Sequence, residues 1–266
     1  MKEDLENLCQ QVVNLSKKVG EFIVTEFYNF DRDRIEYKEF NDPVSYVDKT
    51  AEEMYVNRLS ELFPAAGFIC EEGHGEKNEE GYNWVIDPLD GTTNFVHGIP
   101  FFCSSIALMY NGKPLLGVVT DFIHDKAYYA IKDKGAFCNS KRLKIDKNKT
   151  TEQAVIATSF PGTFHPKLPQ ALDFIVEILP KIHGLRRLGA AALELSMVAD
   201  GKLDAFFESG LKPWDVAAAS LIVQEAGGVV SDYQDENNYI FGRQILAAPE
   251  KIHQDIVKLF SEKAII

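Results

Sequence analysis

The 266-residue sequence predicts a mixed α+β fold built in layers, with antiparallel strands in its first half and alternating strands and helices in its second. Three observations carry this. Apolar residues recur at helical spacing over the first 28 or so positions. Short apolar runs joined by tight turns fill the stretch from Gly67 to Lys144. Beyond Gln153, strand-like and helix-like patterns alternate, and two of the helical ones stop at glycine.

In the first helix, Leu5, Leu8, Val12, Leu15, Val19, Phe22, Ile23 and Phe27 form one apolar stripe. A charged turn, DRDRIEYKEF, follows it. Ser45 or Asp48 then caps a helix running to about Leu62, with Pro64 beyond its end. Ser45 and Asp48 stand three apart, as in a capping box, so Asp48 has a structural role open to it. Gly67–Cys70 reads as a strand delivering Glu71 and Glu72, and Trp84–Ile86 as a buried strand delivering Asp87 and Asp90. FFCSSIALMY and PLLGVVTDFI flank Asn111-Gly112, the strongest short signal for a two-residue hairpin turn. DKAYYAIKDKGAFCNSKRLK continues the antiparallel pattern. The charged, core-poor stretch 141–152 marks a boundary inside a single domain, between halves of about 1–145 and 146–266. In the second half, QAVIATSF, HGLRRLG, LDAFFES, VVSDY and QILAAP read as strands. Lys167–Ile182, AAALELSMVADG, WDVAAASLIVQEAGG and Glu250–Lys263 read as helices.

A formal charge of −12 argues against a non-specific nucleic-acid binder, which needs basic stripes, so nucleic acid is an improbable partner. The same charge obliges any anionic ligand to find local cations, and metal ions are their simplest source. Cys9, Cys70, Cys103 and Cys138 are widely spaced, as expected of reduced thiols in the cytoplasm. The polar N-terminus is no signal peptide, and no apolar run reaches the roughly 18 residues of a membrane span.

Asn83–Phe95, NWVIDPLDGTTNF, is the informative stretch. An apolar strand that ends in two carboxylates three residues apart brings like charges together, and a cation between them relieves the repulsion. A strand followed by an Asx-type turn is the plainer reading. Glu71 after the neighbouring strand and Asp215 near a helix start add two more acids. Asp215 also suits a helix N-terminus for reasons of dipole and capping. Carboxylates with main-chain carbonyls suit Mg²⁺ or Mn²⁺. No His or Cys pair has zinc spacing, GTTN lacks the lysine of a GxxxxGK loop, and no GxSxG elbow is present.

Glu71-Glu72, Asp87-Pro88-Leu89-Asp90-Gly91-Thr92-Thr93-Asn94-Phe95 and Trp214-Asp215-Val216-Ala217-Ala218-Ala219 together resemble the inositol monophosphatase family, Mg²⁺-dependent and lithium-sensitive phosphomonoesterases. The resemblance spans essentially the whole chain, including GAFCN at 135–139 and EAGG at 225–228. It implies a layered α/β/α/β/α sandwich of the inositol monophosphatase and fructose bisphosphatase type, and a homodimer. It implies two or three Mg²⁺ per site, with Mn²⁺ as a substitute and Li⁺ and Ca²⁺ as inhibitors. Glu71, Asp87 and the Leu89 carbonyl would hold one metal, and Asp87, Asp90 and Asp215 a second. Gly91 and Thr92 would offer N–H groups to phosphate, and Thr92, Asp48 and Glu71 would orient the attacking water. Gly189, Ala190, Ala191, Glu208 and Lys212 match the segments that face the substrate, beside Asp90 and Asp215. Ala190 stands where the family usually has Ser or Thr, and Lys212 at a variable position, so both bear on substrate preference.

The implied reaction is hydrolysis of a polyol phosphate, myo-inositol monophosphate first, with no phosphoenzyme. A broader sugar phosphatase or fructose 1,6-bisphosphatase is the nearest alternative. A binding or regulatory protein on the same fold is the alternative of a different class. Thr92-Thr93-Asn94-Phe95 resembles the inositol branch, where adenosine-bisphosphate branches tend to have Lys-Glu and fructose-bisphosphate branches Ser-Ser-Asn.

Overall fold

The structure, a computed structural model, describes residues 2–30, 36–39, 42–160 and 168–262. The first helix is α1 (Lys2–Asn29), with Val12, Val19 and Ile23 fully buried on one face. Where a charged turn was expected over 31–40, β1 (Glu36–Glu39) pairs antiparallel with β2 (Asp42–Val44); the rest of that stretch lies outside the described residues. The alternation Glu36-Tyr37-Lys38 is the period-2 signal for it. Next come α2 (Tyr46–Leu62), β3 (Gly67–Cys70), β4 (Tyr82–Asp90), a short α3 (Thr92–Val96), β5 (Cys103–Tyr110), β6 (Lys113–Asp121), β7 (Lys126–Ile131), β8 (Gly135–Cys138) and β9 (Lys141–Arg142). β3 to β9 form one seven-stranded sheet in chain order, antiparallel throughout except for the parallel pair β3–β4. Asn111 and Gly112 turn the β5–β6 hairpin with φ of 47° and 76°, the left-handed geometry an Asn-Gly turn favours.

The second half is β10 (Val155–Thr158), α4 (Leu168–Ile178), β11 (Gly184–Arg186), α5 (Ala191–Ala199), β12 (Ala205–Ser209), α6 (Pro213–Glu225), β13 (Val229–Ser231), β14 (Gln244–Ala248) and α7 (Glu250–Glu262). Its sheet runs β11-β10-β12-β14-β13; β10 is parallel to β11 and β12, and β14 antiparallel to β12 and β13. The expected helix from Lys167 is shorter than its apolar pattern: it ends at Ile178, and a 3₁₀ turn carrying Pro180 completes it.

Side-chain alternation sorts these elements into five layers. Trp84 and Ile86 of β4 face α1 and α2, while Val85 faces α5 and α6. On the second sheet Phe206 joins the α5–α6 layer, while Ala205 and Phe207 pack with Phe174 of α4 and Phe260 of α7. The order is helices, sheet, helices, sheet, helices, as the resemblance implied. α6 sits hard against the first sheet because both surfaces are small: a Cβ on Gly117 of β6 would stand 2.5 Å from the Ala218 carbonyl oxygen. Fully buried side chains such as Phe102 and Phe206 each contribute about 1.5–3 kcal/mol of burial energy. No helix among the described residues is long and apolar enough to cross a membrane, and all four cysteines are free thiols.

Candidate active site

Asp87 and Asp90 do not follow β4; they belong to it. The strand pairs Asp87 with Ser105 and Asp90 with Cys103, which sets Pro88 and Leu89 of β4 against Ser104 alone on β5. One extra residue makes a bulge there. In a regular strand, side chains three apart point to opposite faces. The bulge, at Pro88-Leu89, removes that alternation, so both acids reach the same region. Asp87 also accepts the Leu89 N–H on Oδ1 at 2.9 Å, so the Asx-type turn is present as well.

Four acids converge on this bulge. Glu71 follows β3, and its N–H donates to the Ile86 carbonyl at 3.2 Å. Asp215 is the third residue of α6, and its Oδ2 accepts the Lys212 N–H at 2.7 Å. Burial pushes the Asp87 carboxyl far above the ordinary range, and Glu71, Asp90 and Asp215 push it further. The Asp90 and Asp215 carboxyls rise to about 7; burial leads for both, reinforced by Glu194 at Asp90 and by Asp90 at Asp215. Among the described residues no three acids, histidines or cysteines are gathered closely enough to hold a metal ion as they stand. What the acids share is electrostatic strain, a buried concentration of negative charge that a cation relieves. Carboxylates and main-chain carbonyls such as that of Leu89 are hard oxygens of the kind that suits Mg²⁺.

Asp48 serves two purposes at once. Its Oδ2 accepts from Ser45 N–H at 2.8 Å and Ser45 Oγ–H at 2.7 Å, completing the capping box of α2. Its Oδ1 accepts from Thr92 Oγ1 at 2.9 Å. That hydroxyl also lies 3.0 Å from the Leu89 carbonyl oxygen. Gly91, with φ of +94°, precedes α3; a Cβ on it would stand 3.1 Å from Phe101 O and 3.2 Å from Ala190 Cβ. Only glycine lets this backbone turn so close to both.

Beside the bulge opens a cleft of about 540 Å³ whose walls include Asp90, Asp215, Gly189, Ala190, Ala191 and Glu208. Asp48, Glu71, Asp87 and Thr92 are not on its lining. Lys212 is outside it too: it is exposed at the N-cap of α6, and its main-chain N–H holds Asp215. The Glu208 carboxyl is driven well above the ordinary range by burial, then by Glu194, Asp215 and Asp90.

Two contributors escaped the sequence reading. Glu194, buried in α5, accepts the N–H groups of Leu188, Gly189 and Ala190 at 3.1–3.3 Å. It engages main-chain N–H groups of the segment expected to face substrate. Its signal was a lone acid in the apolar run AALELSMVA. Asn94 donates to the carbonyls of Phe101 and Leu188, both at 2.8 Å, tying α3 to the segment before α5. Asp90 completes the junction, accepting the Ala192 N–H on Oδ2 at 2.7 Å.

The sequence pattern of the inositol monophosphatase family matches residues 4–264. The chain belongs to that family. It is 38% identical to the putative Nus factor SuhB of Neisseria meningitidis serogroup B, over 92% of this chain and 95% of that protein. It is 36% identical to the inositol-1-monophosphatase of Mesorhizobium japonicum, over 94% and 95%. Its fold superposes on the crystal structure of the extragenic suppressor protein suhB from Bartonella henselae with a TM-score of 0.91 and 35% identity, covering 96% of this chain and 99% of that one. These relatives divide between an enzyme name and a factor name, and they lend no support to the expectation that nucleic acid is not a partner.

Proposed function

We propose that the chain is a Mg²⁺-dependent phosphomonoesterase that releases phosphate from a polyol phosphate, with myo-inositol monophosphate as the first candidate. The observation that carries this is the convergence of Glu71, Asp87, Asp90 and Asp215 on one bulge beside a 540 Å³ cleft. Glu71, Asp87 and the Leu89 carbonyl would hold one Mg²⁺, and Asp87, Asp90 and Asp215 a second. Bound there, the metals supply neutralisation of the phosphate and a lowered pKa for water.

The chain's own residues do the rest. Gly91 and Thr92 offer main-chain N–H groups to the phosphate oxygens. The Thr92 hydroxyl, passing its proton to Asp48 Oδ1, is poised to take one from the attacking water, with Glu71 orienting that water. Glu208, whose carboxyl is pushed well above the ordinary range by burial and its acidic neighbours, lines the cleft where it can hydrogen-bond a polyol hydroxyl. Gly189, Ala190 and Ala191 shape the wall opposite, and the absence of a hydroxyl at Ala190 leaves it apolar. On this reading attack is in line and by water, with no phosphoenzyme.

The test is a panel of esters with Mg²⁺, comparing kcat/KM for inositol 1-phosphate, fructose 1,6-bisphosphate, glycerol 2-phosphate and adenosine 3′,5′-bisphosphate. A preference for inositol 1-phosphate supports the reading, and activity undiminished in excess chelator overturns it. The Nus factor name of the relatives favours a second reading, in which the same chain also acts by binding a partner. Cells carrying D90N in place of the natural chain separate the two: an intact phenotype with no phosphatase activity assigns the physiological role to binding.

A further inference from the structure

Helix α2 does more than present Asp48. One turn further on, Glu52 is fully buried, and its carboxylate is directed at the loop that follows β3. Oε2 accepts the Glu72 N–H at 2.8 Å. Oε1 accepts the His74 N–H at 3.0 Å and lies 2.8 Å from His74 Nδ1. Gly73 between them has φ of +85°, so the two N–H groups turn inward as a small anion-binding nest. An acid of the chain itself fills that nest.

The consequence falls on Glu71. Its own N–H is tied to the Ile86 carbonyl on β4, and the very next N–H is tied to Glu52. Its main chain is therefore fixed on both sides, from β4 and from α2. We propose that Glu52 is a positioning residue for metal binding: its two-oxygen grip on Glu72 and His74 holds Glu71 at the separation from Asp87 that a shared cation requires. With Asp48 one turn earlier gripping Thr92, α2 clamps the ends of β3 and β4 together. Buried carboxylates need partners, and bulk stability alone would be served as well by an apolar residue facing a differently shaped loop. The proposal rests on the metal reading given above.

The experiment measures Mn²⁺ binding directly by the loss of the free-ion EPR signal, at a temperature well below unfolding, on wild type, E52Q, E52D and H74A. Partners of this kind typically alter metal affinity 10–100-fold. E52Q keeps the size but turns an amide N–H toward one of the two N–H groups; E52D keeps the charge but shortens the reach. Both are expected to weaken Mn²⁺ binding at least tenfold and to recover most of kcat at saturating metal. H74A leaves both main-chain bonds in place and is expected within twofold of wild type. Unchanged affinity in E52Q and E52D, whatever their melting temperatures, overturns the proposal. Wild-type affinity in E52D with loss in E52Q overturns it too, because charge and not position would then be the cause. If wild type itself binds no Mn²⁺, the metal reading falls and this inference with it.

Discussion

The Thr92 hydroxyl lies 2.9 Å from Asp48 Oδ1, across 44 residues of sequence, while the other oxygen of Asp48 caps its own helix. One carboxylate thus belongs to the fold through Oδ2 and, in the proposed reaction, to the chemistry through Oδ1. The division predicts separable effects. T92A removes the proposed proton relay and leaves the cap untouched, so kcat should fall by roughly 10²–10⁴. T92S, which keeps the hydroxyl, should stay within about tenfold of wild type. Steady-state kinetics on one phosphate monoester, with thermal melts alongside, reads both. A T92A variant as active as T92S would leave Thr92 a turn residue only.

Asp90 has a similar double attachment, its Oδ2 bound to the Ala192 N–H and its charge pressed against Asp215 and Asp87. D90N removes that charge and can keep an acceptor for Ala192. In EDTA at pH 8 it should melt no lower than wild type, because a buried like-charge repulsion has gone. In Mg²⁺ the order should reverse, and kcat should drop by several orders of magnitude. A fall under about tenfold would restore the plain turn reading.

The pH dependence follows from the raised carboxyls. Asp90, Asp215 and Glu194 titrate near 7 in the metal-free fold but near 4 when unfolded. Between those values the folded state holds more protons, so metal-free stability should fall as pH rises from about 4 to 7. Mg²⁺ held by Asp90 and Asp215 must displace their protons, so its stabilisation should grow over the same range. At 100 times its dissociation constant a ligand adds about 2.7 kcal/mol, roughly 5–10 °C for a chain this size. Melting curves with and without Mg²⁺ at pH 5 and pH 8 decide it; an equal shift at both would contradict the titration.

Much of this was legible in the residues, and what was not has physical reasons. The hairpin at Asn111-Gly112, the capping box at Ser45 and Asp48 and the acids themselves follow from local rules. The bulge at Pro88-Leu89 does not, because it depends on β5 setting one residue, Ser104, against those two. Glu52 and Glu194 stayed hidden because each looks like an ordinary helix residue; their importance comes from N–H groups at other points in the chain. Lys212 is a further case: its position in the motif suggested substrate, and the fold also uses its main-chain N–H to hold Asp215.

Glu208 tests the far side of the cleft. Its side chain faces the acids from β12, with its carboxyl well above the ordinary range. E208A should raise KM for inositol 1-phosphate or reorder the substrate panel, while hydrolysis of an unspecific aryl phosphate changes by less than about threefold. A single hydrogen bond to a polyol hydroxyl is worth roughly 0.5–1.5 kcal/mol, so the KM effect should lie near threefold to tenfold. Equal losses on both substrates would move Glu208 from the polyol to the phosphate end of the site.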